Sequence, residues 1–313
     1  MTTPAEVKVG WVGTGRMGFA LATRLAKAGY DLAVYNRTRS KAEPLAELGA
    51  TIVDRPVDLA DRDVVFIMVS APADLEAVTI GDDGLLTNDA AAPRIVIDSS
   101  TVSASVSAKI RAAAQARGSR FLAAPVSGNP AVVRSGKLTL AVSGPRDAFD
   151  QAEPILATLG RGVTYVGEGE VARLVKICHN VFLGVVTQSL AEITVLAEQG
   201  GTSREAFLAF LNDSVMGSVF TRYKSPAFVN LDFTPTFTNV LLSKDFDLGL
   251  EAAHELKVPM PLASAAAALV ASAVGAGYVT EDFATLLLEQ ARRSGVALES
   301  EDVDVNDGLE SDE

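Results

Sequence analysis

The stretch "LVKICHNVFLGVV", residues 174–186, sets a lysine, Lys176, and an asparagine, Asn180, among Leu, Val, Ile, Cys and Phe. An uncompensated charge is costly to bury, so a lysine in such a setting asks for a reason beyond solvation. Four residues apart on a helix, the two side chains share one face. Ala172 and Gly184 continue that face with small residues that leave room for a ligand. Apolar surroundings lower a lysine pKa, and a lysine so tuned exchanges protons more easily near neutral pH. The competing reading is a lysine at the rim of a core helix that extends its ammonium to water.

A second group of residues points to a ligand. In "VKVGWVGTGRMGFALATRLAKAG", Gly13, Gly15 and Gly18 form G-x-G-x-x-G directly after an apolar run and at the opening of a helical pattern. A tight turn, a close backbone approach and helix-to-strand packing each exclude a β-carbon there, and a pyrophosphate can sit against free amides at the helix start. The loop Gly13, Thr14, Gly15, Arg16, Met17 and Gly18 is therefore a dinucleotide-binding candidate. An NAD site usually places an acidic residue about 20 positions on to hold the ribose hydroxyls. This chain has "YNRTR" instead. Asn36 has no charge to repel a 2′-phosphate, Arg37 offers a planar fork and Thr38 a hydroxyl, so NADP (NADPH) is expected in preference to NAD. The alternative is that Arg37 and Arg39 are ordinary surface arginines.

The elements that must position these groups follow from the periodicity. "VKVGWVG", "DLAVYN", "VVFIMV", "RIVIDSS", "RFLAAPV", "LTLAVSG" and "GVTYVG" read as strands, most of them separated by helical patterns, which predicts a mostly parallel sheet covered by helices on both faces. After about residue 168 strand signals stop, and residues 170–199 read as one long apolar helix followed by more helices to about residue 294. The expected division is a dinucleotide-binding domain over 1–168, an interdomain helix over 169–199, a helical substrate and oligomerisation domain over 200–295, and an acidic tail over 296–313. Eight acidic and no basic residues in "ESEDVDVNDGLESDE" account for most of the net charge of −12, and such a run is predicted to be disordered. The body lacks the basic stripe that a phosphate backbone requires, which argues against a nucleic-acid partner. The start of the chain lacks the basic and apolar regions of a signal peptide and no membrane span is evident, so the expected location is cytoplasmic. The single cysteine, Cys178, excludes an internal disulfide. No His, Cys and carboxylate spacing suggests a metal.

Three further stretches complete a pattern: "DSST" (Asp98 to Thr101), "APVSGN" (Ala124 to Asn129), and "FTPTFTNVLLSKDFDLGL" with Lys244 and Asp245. With "GWVGTGRMG" and "KICHN", in that family's order, they make the chain resemble the β-hydroxyacid dehydrogenase family, whose members include 3-hydroxyisobutyrate dehydrogenase and semialdehyde reductases. The resemblance covers about residues 7–294. It implies an α/β Rossmann N-terminal domain with a C-terminal all-α domain, 6-phosphogluconate dehydrogenase-like, joined by the long interdomain helix.

The resemblance also implies roles. Lys176 matches the catalytic lysine and Asn180 the asparagine that helps hold substrate. During carbonyl reduction Lys176 would stabilise the oxygen that receives negative charge and donate its proton; in oxidation it would take the proton from the alcohol. Ser127 and Gly128 match the loop that holds the substrate carboxylate, and Asn129 departs from the family's second glycine there. Thr101 matches a threonine beside the nicotinamide, although a Ser/Thr pair before a helix is equally a cap. Val69, Ser70 and Ala71 would line the cofactor with backbone, and Lys244 would contact it as the helical domain closes. Glu170 and Ala172 occupy places commonly glycine in the family, and His179 precedes Asn180 where an asparagine or apolar residue is more usual. The expected activity is an NADP-dependent interconversion of a small β-hydroxyacid with its semialdehyde or keto acid, by a homodimer or homotetramer. Two rivals stay open: an imine reductase-like NADPH enzyme, whose relatives usually lack the lysine, and a non-catalytic NADP(H)-sensing protein.

Overall fold

The computed structural model describes residues 4–309. The chain divides into two compact units, Met1–Lys176 and Ile177–Glu313.

In the first unit the strands are β1 (Lys8–Val12), β2 (Asp31–Tyr35), β3 (Thr51–Ile52), β4 (Val64–Ile67), β5 (Ile95–Asp98), β6 (Arg120–Ala123), β7 (Val126–Ser127), β8 (Thr139–Ser143) and β9 (Gly162–Gly167). They join one sheet in the order β3-β2-β1-β4-β5-β6-β8-β7, with β9 against β8. The first six are parallel, β8 runs antiparallel to β6 and β7, and β9 is parallel to β8. The order reverses between β1 and β4, and at such a switch point the crevice beyond the strand ends is where open α/β sheets bind ligands.

The central strands β4 and β5 read as continuous apolar runs because both faces are buried. Along β4, Val64 and Phe66 enter one core with Trp11, Leu21 and Leu25, while Val65 and Ile67 enter the other with Leu75, Ile110 and Phe121. Trp11 stacks on Phe66 with ring centroids 5.3 Å apart. The covering helices are α1 (Arg16–Lys27), α2 (Pro72–Ile80), α3 (Ala104–Ala116), α4 (Pro130–Arg134) and α5 (Arg146–Ala157). Between β2 and β4 the chain uses short 3-10 turns and the two-residue β3 in place of a full helix.

The long helix α6 runs from Val171 to Gln199. It is not a separate piece: the boundary of the units falls within it, after Lys176. Length and composition alone would let α6 cross a bilayer, but half of that apolar stretch is buried inside the protein.

The second unit continues with α7 (Arg204–Asp213), α8 (Val219–Asn230), α9 (Asn239–Glu255), α10 (Pro261–Gly275) and α11 (Leu286–Arg293) around a core that includes Val181, Leu190, Phe228, Phe246 and Phe283. A buried ion pair, Lys224 Nζ to Asp282 at 2.6 Å, ties α8 to the segment before α11. Burial pushes the Lys224 ammonium below its usual pKa, against the pull of Asp282.

The end of the chain differs from the expected disordered tail. Val296, Leu298 and Val305 pack on the helical core, and Asn230 Nδ2 donates to the Val303 carbonyl at 2.8 Å. The Arg204 side chain, 1% exposed, bonds Glu198, the Phe228 and Val229 carbonyls and the Glu299 carbonyl, with the Glu301 carboxylate 3.8 Å away. A buried guanidinium needs several acceptors and a counter-charge, and the acidic segment supplies one acceptor, the Glu299 carbonyl, and a nearby carboxylate, Glu301. Residues 310–313 lie outside the described residues.

Candidate active site

At the end of β1 the chain turns through Gly13, whose φ of +95° suits glycine, and a β-carbon there would lie 2.1 Å from the Met68 carbonyl oxygen after β4. At Gly18 a β-carbon would lie 2.0 Å from the Gly13 carbonyl oxygen. The fold itself therefore demands these two glycines. Gly15 is different: a β-carbon built on it meets nothing within 4 Å. Gly15 is also the N-cap of α1, with no side chain to cap the first turn. Beside it the buried Thr14 hydroxyl has no hydrogen-bond partner. A cradle left open, an uncapped helix start and an orphaned hydroxyl fit a bound dinucleotide pyrophosphate.

Asn36 stitches this loop to the end of β2: its Oδ1 accepts from the Thr14 amide and its Nδ2 donates to the Thr38 carbonyl, both at 2.8 Å. Arg37 is exposed and reaches Asp74 on α2 at 2.8 Å. Thr38 is exposed as well. Of the three residues read as a 2′-phosphate site, Asn36 is thus occupied in holding the loop, and Arg37 supplies the available charge.

The adjoining crevice is built by the ends of β4 and β5. The Val69 amide donates to Ser100 Oγ at 3.0 Å, and the Ser100 amide donates to Asp98 Oδ1 at 2.9 Å. Ser70 and Thr101 are exposed, and the buried Ser99 hydroxyl has no partner. Thr101 is not the cap of α3; Ser103 is, accepting from the Val106 amide.

In the "VSGN" loop Ser127 is half-buried and Gly128 exposed. Gly128 has φ +138°, and a β-carbon would press on Val132 at 2.7 Å, so the turn requires glycine with or without a ligand. Asn129 is buried and caps α4: its Oδ1 accepts from the Ala131 and Val132 amides at 2.9 and 3.0 Å. The fold thus uses the atom that a substrate contact would otherwise claim.

On α6, Lys176 and Asn180 stand one turn apart, as their spacing predicts. The setting is wetter than the sequence suggests: Lys176 is half-buried, and Leu174, Val175, Cys178 and His179 are exposed. The small residues of that face serve packing. Ala172 is buried in a core of the first unit, and a β-carbon on Gly184 would lie 2.4 Å from the Phe246 ring.

Asn180, 4% exposed, donates through Nδ2 to Asp245 Oδ2 at 2.6 Å, while its Oδ1 lies 2.9 Å from His179 Nδ1. Asp245 is itself buried, its Oδ1 lacks a hydrogen bond, and Lys244 Nζ is 3.7 Å from that oxygen. Lys244 is exposed. Sequence reasoning assigned Asp245 no role. The available signal was its place on the buried stripe of α9, with Asn239, Leu242, Phe246 and Gly249, where a carboxylate needs a partner. Also unassigned was Arg173, whose buried ion pair with Asp98 joins α6 to the end of β5. Among the described residues no group of three or more His, Cys, Asp or Glu could hold a metal ion.

Comparison with known proteins identifies the two domains. Residues 8–167 match the NAD binding domain of 6-phosphogluconate dehydrogenase, and residues 167–289 match the domain described as NAD-binding of NADP-dependent 3-hydroxyisobutyrate dehydrogenase. The chain is 31% identical to an NAD-dependent L-serine dehydrogenase of Pseudomonas aeruginosa, over 89% of this chain and 96% of that protein. It is 30% identical to glyoxylate/succinic semialdehyde reductase 1 of Arabidopsis thaliana, over 90% and 97%. Among solved structures, a 3-hydroxyisobutyrate dehydrogenase from Salmonella typhimurium superposes with a TM-score of 0.79 at 27% identity, covering 90% of this chain and 99% of that one.

Proposed function

The chain belongs to the β-hydroxyacid dehydrogenase family, and from that premise we propose that it is an NADPH-preferring enzyme that interconverts a small β-hydroxyacid with its semialdehyde or keto acid. Membership makes it an NAD(P)-dependent dehydrogenase acting on CH–OH groups. The observation that carries the finer reading is Lys176 on α6, one turn from an Asn180 whose amide is held by a buried aspartate.

When bound, a nicotinamide cofactor would supply or accept the hydride. The residues of this chain do the rest. The Gly13–Gly18 loop and the start of α1 hold the pyrophosphate, and Arg37 takes the 2′-phosphate. Ser127 and Gly128 hold the substrate carboxylate, while Asn180 positions the carbon skeleton. With one Nδ2 hydrogen directed to Asp245, Asn180 retains a second for substrate. Lys176 donates its proton to the carbonyl oxygen as charge develops there, and takes a proton from the alcohol in the reverse direction. A lysine at Lys176 disfavours the imine reductase alternative, and the presence of Lys176 with Asn180 disfavours a purely cofactor-sensing role. Exposed apolar side chains on α6 and α7, Phe182, Leu196 and Phe210, support a homodimer or homotetramer.

The test is consumption of NADPH and NADH against glyoxylate, succinic semialdehyde, other small aldehyde and keto acids, and cyclic imines. Turnover of an acid with NADPH is expected. Turnover of imines alone would reject the reading. Lys176→Ala should lower kcat on the order of 100-fold or more while NADPH affinity stays within about twofold; unchanged turnover removes the lysine from the chemistry.

A further inference from the structure

We propose that Arg173 is a positioning residue for Lys176, clamping the first turn of α6 to the "DSST" loop beside the expected nicotinamide; this rests on the proton role proposed for Lys176. Arg173 is 3% exposed, and its three guanidinium nitrogens each have a defined acceptor. Nη2 meets Asp98 Oδ2 at 2.5 Å, Nη1 donates to the Ser100 carbonyl at 2.8 Å, and Nε meets Glu170 Oε2 at 3.2 Å. Asp98 is wholly buried and through its other oxygen holds the Ser100 amide, while Ser100 Oγ holds the Val69 amide. One side chain thus grips both the loop that borders the crevice and the carboxylate that shapes it.

Glu170 carries the clamp outward. Its second oxygen meets Arg111 Nε on α3 at 2.8 Å, and Arg111 also donates to the Gly169 and Phe121 carbonyls. Ser143 Oγ accepts from the Ala172 amide and donates to the Gly169 carbonyl. The start of α6 is therefore anchored to β5, α3 and β8, and Lys176 follows Arg173 by one helical turn on the same side. A rigid turn converts the anchor into a fixed location for the Lys176 backbone, and a displacement of about 1 Å in such a group costs on the order of 100-fold in rate.

The test compares Arg173→Gln, the double variant Arg173→Gln with Asp98→Asn, which leaves no unpaired buried carboxylate, and Arg173→Lys. Each is measured for kcat and KM, for the pH dependence of kcat, and for amide hydrogen exchange over residues 171–176 without cofactor. Lys176→Ala is run in parallel. The expected result for the double variant is a folded protein with faster exchange at the start of α6, kcat lower by about 10- to 100-fold, NADPH KM within about twofold, and an altered pH profile. Arg173→Lys should recover part of the rate. Faster exchange with unchanged kcat and pH profile would make Arg173 merely structural and overturn the inference. So would unchanged exchange. If Lys176→Ala itself keeps full turnover, the proton role falls and the inference with it; if Lys176→Ala is inactive while the double variant is fully active, the inference falls alone.

Discussion

On the proposed reading, cofactor choice would turn on one exposed arginine that already has a carboxylate partner. Arg37 is paired with Asp74, so a 2′-phosphate held as proposed would compete with a carboxylate for the same guanidinium. A hydrogen-bonded contact to a charged group is worth about 1.5–3 kcal/mol, so Arg37→Ala should cut the preference for NADPH over NADH by roughly 10- to 100-fold. An exposed ion pair is worth at most about 1 kcal/mol, so Asp74→Asn should tighten NADPH binding by no more than about fivefold. Titration of nicotinamide fluorescence with both cofactors checks each value. Arg37 stands out in the sequence because a charge stands where an acid is usual, and Lys176 because a charge interrupts an apolar run. The competitor Asp74 was not legible, being 37 positions away on another element. Nor were the structural uses of Asn36 and Asn129: an amide that holds backbone looks in sequence like one that awaits a ligand.

Among the elements, strands β1, β2, β4, β5, β6, β8 and β9 announced themselves through apolar runs, while β3 and β7, two residues each, are too short to carry a period. The acidic end of the chain was misjudged for a different reason. Composition over fifteen residues signals disorder, but Val305 is one apolar residue that finds the core and Glu301 one acid that a distant buried arginine requires. Glu301 also accepts from the Arg204 and Glu205 amides at 2.7 and 3.0 Å, completing the start of α7. Glu301→Ala should therefore lower unfolding stability by about 2 kcal/mol, read from urea denaturation.

For the whole molecule, the division into two units with separate hydrophobic cores means that ligand linkage should be uneven. NADPH at about 100 times its Kd adds about 2.7 kcal/mol to whatever unfolds with its site, which for a unit of this size is a rise of roughly 5–10 °C. Calorimetry should show that rise in the transition of the sheet-bearing unit; a shift confined to the helical unit would contradict a pyrophosphate site at Gly15. Gly15 also allows recognition to be separated from architecture. Its neighbours Gly13 and Gly18 cannot be changed without distorting backbone, but a methyl at Gly15 faces open space, with φ −65° and ψ −174°, a conformation alanine adopts freely. Gly15→Ala should melt like the parent without NADPH and fail to respond to it. Such a protein, folded yet blind to its coenzyme, would be a reagent for finding whatever this chain does in a cell that does not depend on turnover.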